Sequence, residues 1–160
     1  MGMNRRQVRE HIFKILFLVD FTEEDKTGKQ AAMERSMEDE ILEYFDQIPD
    51  EEIDNPPLFA DEQDRAYITE KAMQIIRRIP EIDGKINQVA KGWKTGRMAR
   101  TDLAVLRLGV YEILFDEEIP KGVAINEAVE LAKKYGGDES PAFINGILGK
   151  ISAESKESRE

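Results

Sequence analysis

The stretch TDLAVLRLGVYEILF, residues 101–115, constrains the fold more than any other part of the chain. At helical spacing, Leu103, Val105, Leu106, Leu108, Val110, Ile113 and Leu114 fall on nearly every side of one helix. A helix with no face that prefers water has to be central, with other elements wrapped around it. The apolar spacing in the remainder of the chain is also helical, and no alternating strand pattern competes with it.

The neighbours follow from caps and breakers. Asn4 is placed to cap a first helix reaching about Phe21, with Val8, Ile12, Ile15, Leu16 and Val19 on one face. A second row, Phe13, Phe17 and Phe21, is rotated roughly 100° from it. Gly28 to about Ile48 reads as an acidic helix with Met33, Met37, Ile41, Leu42 and Phe45 inward. DEEIDNPPLFAD is a linker, after which Asp61 caps a helix to about Ile79 that uses Tyr67, Ile68, Ala72, Ile75 and Ile76. Pro80 is expected to break that helix, and a shorter one with Ile82, Ile86 and Val89 ends near Gly92. After the central helix, Pro120 and Gly122 form a turn. VAINEAVELAKKYGG is then a helix with Asn126 serving its start, and Ser140-Pro141 opens the last helix, where Gly146 allows close approach. The tail from residue 152 to residue 160 is polar and expected to fray. The expectation is an all-α fold of about seven helices in two helical subdomains sharing a core, one domain over 1–160 with its ordered part at about 4–151.

Charge divides the chain in a way its total of −10 conceals. Residues 20–65 hold 17 acids and 4 bases, a local charge of −13, so the rest of the chain sums to +3. An acidic protein overall therefore keeps a mildly basic remainder that does not repel nucleic acid. With no cysteine there is neither a disulfide nor a thiol nucleophile, and a single histidine, His11, leaves no His-His-Glu metal set. No glycine-rich phosphate cradle of the Walker or dinucleotide type occurs, so an enzyme, a cofactor and a resident metal are not expected. The apolar run IFKILFLVDF is interrupted by Lys14 and Asp20 and is neither a signal core nor a membrane span, which points to a cytoplasmic protein.

Two places carry candidate binding chemistry. Arg5, Arg6 and Arg9 crowd a helix start, where guanidinium forks and backbone N–H groups both favour anions. They are either a phosphate grip or a solvated helix end. The adjacent phenylalanine row, Phe17 included, is either core or a set of stacking partners for unpaired bases. Arg107 interrupts the central apolar helix, so its charge requires a carboxylate, with Glu127 and Asp102 as candidates, or else an anion. His11 reads as a helix-flank residue.

The C-terminal third then supplies DLAVLRLGVYEILF, IPKGVAINEAVELAKKYG and SPAFINGILGKI, preceded by GWKTGRMARTDLAVLR and, at the start, RRQVREHIFKILF. In this order and spacing the segments resemble the signature of the NusB family over about residues 4–151. The acidic stretch 22–60 carries no part of it. The resemblance implies a non-catalytic bacterial antitermination factor that pairs with NusE, a ribosomal small-subunit protein. The pair binds the boxA element of nascent ribosomal RNA transcripts and helps RNA polymerase read through terminators. By motif match it implies RNA contacts at Arg5, Arg6, Arg9, Phe17, Tyr135 and Phe143, with Asp102 and Arg107 either on the RNA face or in an internal pair. Tyr135 and Phe143 flank the turn GGDESPA and are either core or a stacking platform. Gln7 stands where some relatives carry another arginine, and Leu103 where many carry a basic residue.

Two alternatives stay open. The same fold occurs as the N-terminal domain of RNA cytosine methyltransferases, which a chain of this length does not accommodate. An acidic helical adaptor or homodimer, binding protein and no RNA, is the reading from another class.

Overall fold

The computed structural model describes residues 3–23, 41–45, 62–92 and 94–159. Among these residues the structure is all-α: α1 (Arg5–Glu23), α2 (described over 41–45), α3 (Glu62–Arg77), α4 (Ile79–Val89), α5 (Arg100–Phe115), α6 (Lys121–Tyr135) and α7 (Ser140–Arg159). A single 3-10 turn, Thr95–Arg97, lies between α4 and α5. Most of the acidic stretch, the Asp61 cap and the side chain of Phe21 lie outside the described residues. The chain divides into two compact units, Met1–Ile76 and Arg77–Glu160.

In the N-terminal unit, α1 starts where the sequence places its cap. Asn4 Oδ1 accepts the Gln7 N–H at 2.8 Å, and Gln7 Oε1 accepts the Asn4 N–H at 3.0 Å. This reciprocal box satisfies two backbone donors that a helix start otherwise leaves open. Val8, Ile12, Ile15, Leu16 and Val19 are all buried, and Phe13 joins them, while Phe17 is half-buried. In α2, Ile41 and Phe45 are buried and Leu42 is 62% exposed, against the expectation that it packs inward. Tyr67 of α3 likewise turns to solvent, lying against Lys71, while Ile68, Ala72, Ile75 and Ile76 form the buried row as expected and Met73 widens it.

The C-terminal unit is built around α5, which packs against α4, α6 and α7. Every residue of α5 from Leu103 to Ile113 is buried, as its all-round apolarity requires. Each large side chain taken out of water here contributes about 1.5–3 kcal/mol before entropy is counted. Close approach on this helix comes at Gly109: a Cβ there would lie 2.7 Å from Leu148 Cδ1. Gly146, expected to have that role, faces open space. The reason is register, since Ile144, Ile147, Leu148 and Ile151 form the buried row of α7 and Gly146 falls off it.

Three boundaries differ from the sequence reading. α3 ends at Arg77 rather than at about Ile79, and Pro80 sits in the first turn of the shorter helix that follows, where its missing N–H costs nothing. α6 begins at Lys121 after an extended Pro120, so the exposed Asn126 lies in its second turn and does not cap it. The polar tail is helical through Arg159, because Lys85 Nζ reaches Glu154 at 2.8 Å and Lys121 Nζ donates to Ser155 Oγ at 2.7 Å. These bonds tie the last turns of α7 to α4 and α6.

Candidate nucleic-acid interface

Arg5 and Arg6 occupy the first turn of α1 and are exposed. That turn contains no acid, so the positive end of the helix dipole adds to the two guanidinium charges. The capping box explains Gln7 without reference to RNA: its side chain is 5% exposed and spent on the helix start. Arg9 differs from its neighbours. It is 8% exposed, so the grip that opens to solvent is Arg5 and Arg6.

One turn further along α1, His11 is 3% exposed, which replaces the expected helix-flank position with a core one. Its Nδ1 and the Tyr44 hydroxyl share a hydrogen bond at 2.8 Å, and the two rings meet edge to face at 5.8 Å. Burial, with Lys14 nearby, pushes the imidazole from 6.5 down to about 4 against a weaker opposing pull from Glu10. At neutral pH this histidine adds no charge beside the arginines. Its partner is 33 residues away in sequence, and no local pattern points to it.

The other four residues belong to the C-terminal unit. Arg107 is held by Asp83 in a two-pronged pair: Nε donates to Oδ1 at 3.0 Å and Nη2 to Oδ2 at 2.7 Å. With the two side chains 5% and 20% exposed, this is an internal pair joining α5 to α4. The ion-pair alternative for Arg107 thus holds, with Asp83 as a partner that the sequence reading did not consider. Asp83 lies 24 positions away on a different helix, so helical periodicity within α5 could not reveal it. Asp102 stands in the first turn of α5, where the helix dipole favours a carboxylate, and its Oδ1 is buried without a hydrogen-bond partner among the described residues. As an acceptor-only group it suits a base amino group and repels a phosphate.

Tyr135 closes α6 and Phe143 lies in the first turn of α7, and both are half-buried. The turn between them is tightly made. Gly136 N–H reaches the Ala132 carbonyl at 2.9 Å, Ser140 N–H donates to the Gly137 carbonyl at 3.0 Å, and Ser140 Oγ accepts the Gly137 N–H at 3.0 Å. Ser140 is therefore the brace of the turn, and the carbonyl of Glu139 accepts the first helical bond from Phe143 N–H at 3.1 Å. Lys134 Nζ sits 5.4 Å from the Tyr135 ring centre, placing a cation beside the half-open ring. No cluster of metal-ligating side chains occurs among the described residues, and no helix among them is long and apolar enough to cross a membrane.

Among the described residues the arrangement is that of an all-helical protein with cations and aromatics on its helix ends. Comparison with known proteins gives it a family. Residues 6–153 match the model of the NusB family. A transcription antitermination protein NusB from Agathobacter rectalis is 45% identical over 93% of this chain and 99% of its own length. One from Lachnoclostridium phytofermentans is 40% identical over 93% and 98%. The structure of T. maritima NusB superposes with a TM-score of 0.73 at 32% identity, covering 96% of this chain and 94% of that one. The chain belongs to the NusB family of transcription antitermination factors.

Proposed function

We propose that this protein binds boxA RNA of nascent ribosomal RNA transcripts together with NusE, as a non-catalytic cytoplasmic component of the antitermination complex that lets RNA polymerase read through terminators. The observation that carries the reading is the exposed Arg5 and Arg6 pair on the capped, acid-free first turn of α1. Arg5 and Arg6 contact phosphate in this reading, and Phe17, Tyr135 and Phe143 offer partly open ring faces for unpaired bases. Asp102 accepts from a base edge. Arg9 and Arg107 act from inside: Arg9 is a buried charge of α1, and Arg107 is the internal partner of Asp83 that joins α5 to α4.

The test is a titration of fluorescent single-stranded boxA RNA with and without NusE, repeated over a range of salt concentrations. Arg5→Ala/Arg6→Ala weakens binding and flattens the log–log salt slope by about 1.4, since each phosphate contact on a single strand contributes about 0.7. Its melting temperature stays at the wild-type value, because exposed charges contribute little to stability. Unchanged affinity and slope return the pair to a solvated helix end. A protein-only adaptor or homodimer shows no salt-dependent RNA binding in any of these titrations.

A further inference from the structure

The segment joining α4 to α5 has an electrostatic character that the residues above leave unused. From Gly84 to Thr101 the chain carries Lys85, Lys91, Lys94, Arg97 and Arg100 and no acid, within a protein of net charge −10. Other cations of the C-terminal unit have partners: Arg78 with Glu81, Lys85 with Glu154, Arg107 with Asp83 and Lys133 with Glu130. Lys91, Lys94 and Arg97 are exposed, and their side chains have no ion-pair or hydrogen-bond partner among the described residues. Three like charges within seven residues repel one another, a cost that no described residue offsets by direct contact.

The backbone that presents Lys94 and Arg97 is pinned over residues 94–98. Gly92 takes φ 84°, a left-handed conformation in which a side chain is strained. Asn87 Oδ1 accepts the Thr95 N–H at 2.8 Å, anchoring the turn to the end of α4. Arg97 N–H reaches the Lys94 carbonyl at 2.8 Å, and Met98 N–H reaches that of Thr95 at 3.3 Å, closing the 3-10 turn. A ligand meeting Lys94 and Arg97 therefore does not have to order the 3-10 turn first.

We propose that Lys91, Lys94 and Arg97 form a second contact for the phosphodiester backbone of single-stranded RNA, carried by the C-terminal unit. Sequence-independent charge pairing is the chemistry on offer, because the surface supplies cations without a groove. The large apolar side chains exposed among the described residues are Leu18, Leu42, Tyr67 and Val123, and none of these lies between residues 84 and 101, where Trp93 falls outside the described residues. An amphipathic protein helix or a lipid surface would need such groups to bury, whereas a polyanion does not. The proposal extends the RNA reading above and rests on it.

The experiment compares the full-length wild type with Lys91→Ala/Lys94→Ala/Arg97→Ala, a charge-retaining Lys91→Arg/Lys94→Arg/Arg97→Lys variant, and Arg5→Ala/Arg6→Ala. All are titrated with the fluorescent single-stranded boxA RNA over the same salt series, and each is melted without RNA. The triple alanine variant is expected to lose roughly tenfold in affinity and to flatten the slope by about 2, three phosphates at about 0.7 each. The charge-retaining variant keeps both values, and the loss adds to that of the α1 variant. Wild-type affinity and slope in the triple alanine variant, with the α1 variant impaired, overturn the loop contact and leave the α1 grip standing. A lowered melting temperature with normal affinity of the folded fraction also overturns it, assigning the cations to the acidic stretch of the same chain. If the wild type binds no RNA in a salt-dependent manner, both readings fall.

Discussion

Removing Asp83 is the most informative single perturbation, because it separates what Arg107 does for the fold from what it does for RNA. The carboxylate takes two hydrogen bonds from the guanidinium, at 3.0 and 2.7 Å, and the arginine side chain is only 5% exposed. Two charges brought into so dry a place do not stabilise the fold strongly as a pair, because lost hydration offsets most of their attraction. Deleting one of them is another matter. Asp83→Ala leaves a guanidinium buried without its counter-charge, which costs about 3–5 kcal/mol where the pair is fully enclosed. Asp83 is itself 20% exposed, so water relieves part of this, and the expected loss lies near the lower limit, about 3 kcal/mol. Against a typical total of about 5–15 kcal/mol, that is a large fraction of the stability.

Urea melts of the wild type, Asp83→Ala, Arg107→Met and the double variant measure it as a double-mutant cycle. The double variant is expected to be more stable than Asp83→Ala, because methionine fills the space without leaving a charge behind. RNA affinity is measured on the same four proteins under conditions in which all are folded. Asp83→Ala should then bind RNA within about threefold of wild type, a change worth under 1 kcal/mol. A stability change below about 0.5 kcal/mol, the scale of an ordinary surface substitution, would refute the buried-pair argument. A large affinity loss in Arg107→Met with no loss of stability would place the guanidinium on the RNA after all.

Two further outcomes follow from packing and titration. His11 is held down at about 4 against 6.5 when free, so the unfolded chain binds the extra proton more readily. Its contribution is complete above pH 6.5 and is lost as pH falls toward 4, by at most about 3 kcal/mol. Urea melts of the wild type and His11→Gln from pH 7.5 to about 4 should therefore converge, and parallel profiles would exclude the histidine as the source. Gly109→Ala brings a methyl group to 2.7 Å from Cδ1 of the fully buried Leu148, which must shift within the core, at a cost of about 1–3 kcal/mol. An unchanged melting temperature would show that α5 and α7 separate at no cost.

The fold was legible in the sequence wherever a single helix decides its own burial. Leu103 to Ile113 had to be central because no face was polar, and α1 had to start at Asn4 because a capping side chain precedes an amphipathic run. The readings that failed depend on register between helices. Gly146 is a small residue in α7 but falls off the row that faces α5, and only the packed pair identifies Gly109 as the point of contact. Tyr67 and Leu42 are apolar enough to pack inward, yet a helix with a full inner row can leave such groups exposed. The tail looked too polar to hold, and it is held by cross-helix bonds at Glu154 and Ser155 that no local window contains.

The candidate site divides along the same line, and the division shows what an arginine in such a chain signifies. Spacing alone treats Arg5, Arg6, Arg9 and Arg107 as equivalent cations. Burial does not: Arg5 and Arg6 are exposed, Arg9 is enclosed, and Arg107 is clamped by Asp83. A guanidinium that already has a carboxylate at 2.7 Å gains little from a phosphate, since contact would first require the internal pair to break. Exposed cations incur far less of that cost, because water already screens whatever they touch, and each phosphate they meet releases counterions. The same criterion directs attention to Lys91, Lys94 and Arg97, which sit around Trp93 in GWKTGRM and resemble a solvated turn in sequence. What marks them is the missing acid: from Gly84 to Thr101 the sequence has none, and no described residue pairs with them.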